Sequence, residues 1–211
     1  MEPLSLKAIG RWFAAEAVGT MLLMLAVGVA ATSVGTIAGY ETAYLPAVIG
    51  AVIALLVYCF GSVSGANLNP AVTLALFAIR KVTAVQVAIY LPAQFFGAFL
   101  GAQLAKFMLG SLPVLGQQIG RSVGLAELLG GFIVALVIAA VVIGRVPAGF
   151  GGIAIGLGFL VALTVAMGTS GAIINPAIAF AVGSYGLNYL LAPILGACLG
   201  AGLFVWLSRE S

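Results

Sequence analysis

Asn69 and Asn175 sit in one phrase written twice, SGANLNPAV over 64–72 and SGAIINPAI over 170–178, identical at six of nine positions. A carboxamide does no acid–base work at neutral pH. Its oxygen accepts, which suits a helix N-cap, and its NH2 donates to another group. Pro70 and Pro176 follow, and proline fits the first helical position, where a missing N–H costs nothing. Each phrase therefore reads as a helix start running through Ala71 or Ala177. The small residues ahead, Ser64 to Ala66 and Ser170 to Ala172, permit tight extended backbone.

Glu16 and Glu127 also stand inside apolar runs. Ionisable groups within a span are functional candidates by default. The expectation is that they accept hydrogen bonds from loop N–H groups ahead of the two helix starts and turn the loop carbonyls toward a lumen. Nothing here reads as catalytic. The chain has no histidine and no aspartate, and no nucleophile has a nearby base. Cys59 and Cys198 lie in apolar runs and read as small packing residues, so neither a metal nor a cofactor is expected.

The elements that must position these groups follow from composition. The 211 residues are 64% hydrophobic and 6% charged, with mean hydropathy +1.28. A soluble domain carries about 25% charged residues, so this is an integral membrane protein whose first partner is the bilayer. The net charge of +3 is too small to imply nucleic acid. Six runs are long enough to span about 30 Å of hydrocarbon: roughly 12–31, 44–66, 84–108, 122–144, 150–168 and 188–207. The first resembles a signal peptide, with Lys7 and Arg11 ahead of it, but its length and Glu16 favour a span. The runs are continuous rather than alternating, so the fold class is an all-α membrane protein forming a single channel domain.

Two apolar stretches remain, about 69–79 and 175–186, with Gly186 as a plausible C-cap of the second. Each is about 15 Å long as helix and crosses half a bilayer. Three spans precede the second copy, and an odd number of crossings inverts it. Residues 1–111 and 112–211 are then inverted repeats whose half-helices meet N-terminus to N-terminus at the midplane. Lys7, Arg11, Arg80, Lys81, Arg145 and Arg209 fall on one side, and only Lys106 and Arg121 on the other. The positive-inside rule makes both termini cytoplasmic, in a cell or inner membrane.

At these residues the sequence resembles the aquaporin (major intrinsic protein) family over nearly the whole chain. The paired Asn-Pro-Ala boxes are its hallmark. AEAVGT at 15–20 is similar to its first-helix pattern, and YLPAQFFGAFLGA at 90–102 looks like its third helix. The resemblance implies a right-handed bundle of six transmembrane helices plus two re-entrant half-helices, assembled as a homotetramer with one pore per subunit. It also implies passive, ion-excluding permeation of water and small neutral solutes. By the same resemblance the outer filter falls on Ile49, Leu163, Ala172 and Ile178, with Ser62 and Asn67 as further lining positions.

The chain departs from the family pattern at that filter. The usual arginine after the second box is Ile178, no histidine exists anywhere, and Ala179 replaces the aspartate common in glycerol facilitators. An aliphatic filter either widens the pore to larger solutes, such as peroxide, small alcohols, gases and undissociated metalloid acids, or dewets it. Acceptor carbonyls in the loop before Asn175 favour the first outcome. The rival readings are a coupled transporter, which needs several midplane carboxylates, and a non-conducting structural protein.

Overall fold

The computed structural model describes residues 5–36, 44–112 and 115–209, with side chains for all of these except 34–36. Among them the chain is helical throughout: α1 (Leu6–Thr36), α2 (Tyr44–Ser64), α3 (Pro70–Ala78), α4 (Ala84–Leu109), α5 (Arg121–Val142), α6 (Gly151–Ser170), α7 (Pro176–Ala181), α8 (Leu187–Leu190) and α9 (Ala192–Leu207). Six helical spans are long and apolar enough to cross a membrane, the last being α8 and α9 taken together. The protein is therefore a multi-pass membrane protein. The first span begins earlier than its apolar core, so Lys7 and Arg11 ride on α1.

Close helix approach organises the bundle, and the same contacts occur twice. Gly97 and Gly101 of α4 lie against the carbonyls of Ala17 and Met21 on α1. Gly196 and Gly200 of α9 lie in the same way against Leu128 and Phe132 on α5. A methyl group at any of the four would overlap backbone. Between apolar helices such small-residue packing is the main source of association, because lipid tails already solvate aliphatic side chains. α2 and α6 cross where Gly50 and Gly156 face each other's carbonyls.

The two short helices differ in length. α3 reaches Ala78, and the chain turns through Arg80 at φ 61. α7 ends at Ala181, and the chain turns through Gly183 at φ 82. The C-terminal glycine of α7 is therefore Gly183. Gly186 has extended backbone and instead precedes α8.

Candidate functional site

Asn69 and Asn175 are N-caps in extended conformation, with proline at the first helical position of each half-helix. Asn69 Oδ1 accepts from Ala71 N–H at 2.8 Å, and Asn175 Oδ1 accepts from Ala177 N–H at 3.0 Å. Ala71 and Ala177 are buried against neighbouring helices. The amide ends cross over: Asn69 Nδ2 donates to Ile174 O at 2.9 Å, and Asn175 Nδ2 donates to Leu68 O at 3.0 Å. The two helix starts thus meet tip to tip, and each amide keeps its second hydrogen for another acceptor.

The loops ahead of the caps are folded on the buried glutamates. Glu16 accepts from the N–H groups of Asn67 (3.0 Å) and Leu68 (2.8 Å) and from Ser64 Oγ (2.6 Å). Glu127 repeats this with Ile173 (3.0 Å), Ile174 (2.7 Å) and Ser170 Oγ (2.6 Å). The two serines accept from Ala66 and Ala172 N–H. Tyr90 and Tyr189 hydroxyls donate to the carbonyls of Ser64 and Ser170. Both carboxylates are fully buried, so their donors replace lost hydration.

Backbone shape records this demand. Ala66, Leu68, Ala172 and Ile174 all adopt left-handed φ between 50 and 53°. Each such residue costs about 1 kcal/mol or more, and charge-assisted bonds of about 1.5–3 kcal/mol each offset it. The peptides are trans, so a carbonyl points opposite the N–H of the next residue. With N–H groups aimed at Glu16, the carbonyls of Ala66 and Asn67 aim away from it. Those of Ala172 and Ile173 aim away from Glu127 in the same manner.

Two cavities lie beside these loops and share part of their walls. One, the outer in the expected topology, is lined by Ile49, Leu163, Ala172 and Ile178 together with Asn175. The other, the inner, is lined by Asn67 and Asn69 with Gly65 and Leu76. Leu23, Ile53 and Phe159 wall both parts, and among the described residues no charged side chain lines either. Ser62 stands apart. It is exposed on α2, about 200° around the helix from buried Ser64 at 100° per residue, and it lines neither part of the lumen.

Of the aliphatic wall on α2 and α6, sequence reasoning named only Ile49 and Leu163. Leu45, Ile49 and Ile53 repeat every four residues on α2, and Ile155, Phe159 and Leu163 do so on α6. That spacing was a readable signal. Leu115 also reaches the outer lumen, from the loop that joins the two repeats. Ser184 Oγ donates to its carbonyl at 2.6 Å. The first repeat carries extra polar support: Gln94 Nε2 donates to Glu16 (2.7 Å) and to Thr73 (2.9 Å). Gln94 Oε1 and Thr20 Oγ1 are buried without hydrogen-bond partners.

The major intrinsic protein family matches residues 4–204. A probable aquaporin AqpM of Archaeoglobus fulgidus is 36% identical over 183 residues, covering 75% of this chain and 73% of that protein. Aquaporin Z of Bradyrhizobium diazoefficiens is 30% identical and covers 94% of this chain and 93% of its own. The X-ray structure of the aquaglyceroporin from Plasmodium falciparum superposes with TM-score 0.75 over 94% of both chains at 24% identity, which shows the shared fold. The chain belongs to the major intrinsic protein family and is a membrane channel of the aquaporin kind, not an enzyme.

Proposed function

We propose that the pore runs past the two asparagine amides and carries water together with small neutral hydroxylated solutes, and that Ile49, Leu163, Ala172 and Ile178 form a filter wider than a water-only one. The supporting observation is the two-sided lumen: carbonyls and two amides on one wall, aliphatic side chains on the other, and no charged side chain on either among the described residues. A solute with several O–H donors along one edge and carbon on the other fits such walls. Peroxide, glycerol-sized alcohols and undissociated metalloid acids meet that description. An ion would lose hydration without replacement ligands, at a cost of tens of kcal/mol before any relaxation. Helix N-termini pointing at the midpoint add a cation barrier that is general to pores of this kind.

We further read the assembly as a homotetramer with one pore per subunit, in a cell membrane with both termini cytoplasmic. The six-to-two bias of basic residues supports the orientation. Stopped-flow swelling of reconstituted vesicles against water, glycerol, peroxide and arsenite tests the reading. Uptake of the larger solutes above that of empty vesicles is expected. Water flux alone would point to a narrow filter, and no flux of any kind to a dewetted one.

A further inference from the structure

α3 stops short of the C-terminal end of α9, and a cavity opens between them. Its wall includes Ile79, Arg80, Gly202, Val205, Trp206 and Arg209. A third guanidinium adjoins it, since Arg145 Nη2 donates to the carbonyl of Ser208, next to Arg209, at 3.0 Å. Three separate segments thus bring like charges to one end of α9. The described glutamates, Glu16 and Glu127, are buried and committed to the loops, so they do not offset this charge.

Arg80 is also held at a price. Its backbone is left-handed, at φ 61, where the matching position after α7 is Gly183. A non-glycine residue in that region is unfavourable, and strain of this sort gathers at functional positions. Below the arginines the surface is apolar. Leu195, Leu199 and Leu203 are exposed one turn apart along α9 and lead up to Trp206, which is 66% exposed. Tryptophan favours the headgroup level of a bilayer, and paired basic residues there attract anionic lipid.

We propose that the cavity between the ends of α3 and α9 binds the phosphate of an anionic phospholipid between Arg80 and Arg209, with an acyl chain along Leu203, Leu199 and Leu195. The proposal rests on membrane insertion but not on which solute the pore passes. Glu210 follows Arg209 in sequence and lies outside the described residues, so its carboxylate enters the test.

Trp12 and Trp206 are the two tryptophans. In a Trp12→Phe background, Trp206 reports contact with brominated lipids through quenching. Vesicles doped with brominated phosphatidylglycerol or brominated phosphatidylcholine should differ, with about a five- to tenfold preference for the anionic lipid. Arg80→Gln with Arg209→Gln should abolish the preference while swelling rates stay unchanged, which shows that the protein is folded. Arg80→Gly should weaken the preference even though it relieves the backbone. Lys7→Gln with Arg11→Gln removes equal charge from the same end of the bundle and should leave the preference intact. Equal quenching by both lipids would overturn the proposal, as would loss of the preference in the Lys7/Arg11 variant. Absence of quenching by either lipid would place Trp206 against another subunit and overturn it too. So would a preference that appears only in Glu210→Gln, or one that millimolar inorganic phosphate erases.

Discussion

Asn69 and Asn175 each hold the other's loop: each side-chain amide donates to the carbonyl just ahead of the opposite asparagine, at 2.9 and 3.0 Å. The meeting point of the two half-helices is therefore a latch between the two halves of the chain. Asn69→Ala removes a cap worth about 1 kcal/mol and leaves Ile174 O unsatisfied, for about 1–3 kcal/mol more. Thermal unfolding in detergent should fall accordingly, and Asn175→Ala should behave alike. An unchanged midpoint for both variants would contradict the latch.

The carboxylates should tolerate no isosteric swap. Glu16→Gln keeps one acceptor oxygen and sets an NH2 against the N–H of either Asn67 or Leu68, which bond to different carboxylate oxygens, and it loses the charge assistance of bonds worth about 1.5–3 kcal/mol each. Glu127→Gln does the same to either Ile173 or Ile174. Both variants should yield little folded protein on size-exclusion chromatography. Wild-type yield and flux from either would remove the bracing role.

Ile178→Arg would put a guanidinium into the outer lumen beside Ala172 and Leu163. Uptake of glycerol-sized solutes should drop by about tenfold, with water flux retained. Parallel swelling assays compare the two. If no solute changes its rate, the filter lies elsewhere.

Leu115 lines the same cavity as Ile49, Leu163, Ala172 and Ile178, from the loop that precedes α5. Gly116 beside it has φ 62 and is wedged against Ile173 and Ser184, so the loop has little room to shift. Leu115→Ala should raise uptake of the larger solutes. Ser184→Ala, which frees the Leu115 carbonyl, should do so to a smaller degree. Solute-size profiles from swelling would show both changes, and identical profiles would free the loop of any sieving role.

Gly196→Ala drives a methyl into the Leu128 carbonyl. Overpacking of that kind costs about 1–3 kcal/mol, and Gly97→Ala, against Ala17, should match it. Comparable drops in detergent unfolding temperature are expected. A neutral result at either position would mean that the helices separate there without penalty.

The fold was largely readable because the membrane exaggerates contrast. A polar phrase inside an apolar chain has few explanations, and its repetition left fewer. Glu16 and Glu127 were visible for the same reason. Boundaries were harder to read. Gly183 and Gly186 both offer a helix stop; α7 is capped at the first, where Ser184 N–H donates to Ala179 O and Ser184 Oγ to Leu115 O. Ser62 enters the lining by family resemblance alone, which says nothing of its angle around α2. Leu115 carried no signal at all, since a leucine in a loop looks like any other until the loop folds over the mouth.

The repeats match in outline but not in their second layer. Thr73 and Gln94 brace the first loop, while the corresponding places in the second repeat hold Ala179 and Pro193. The two halves have therefore specialised since any ancestral duplication. A symmetrical protein stitched from two copies of the C-terminal half would keep the interlocking amides yet lack half the scaffolding beneath them. Neither loop of such a molecule would rest on a Thr–Gln pair, whereas the natural chain has one beneath its first loop.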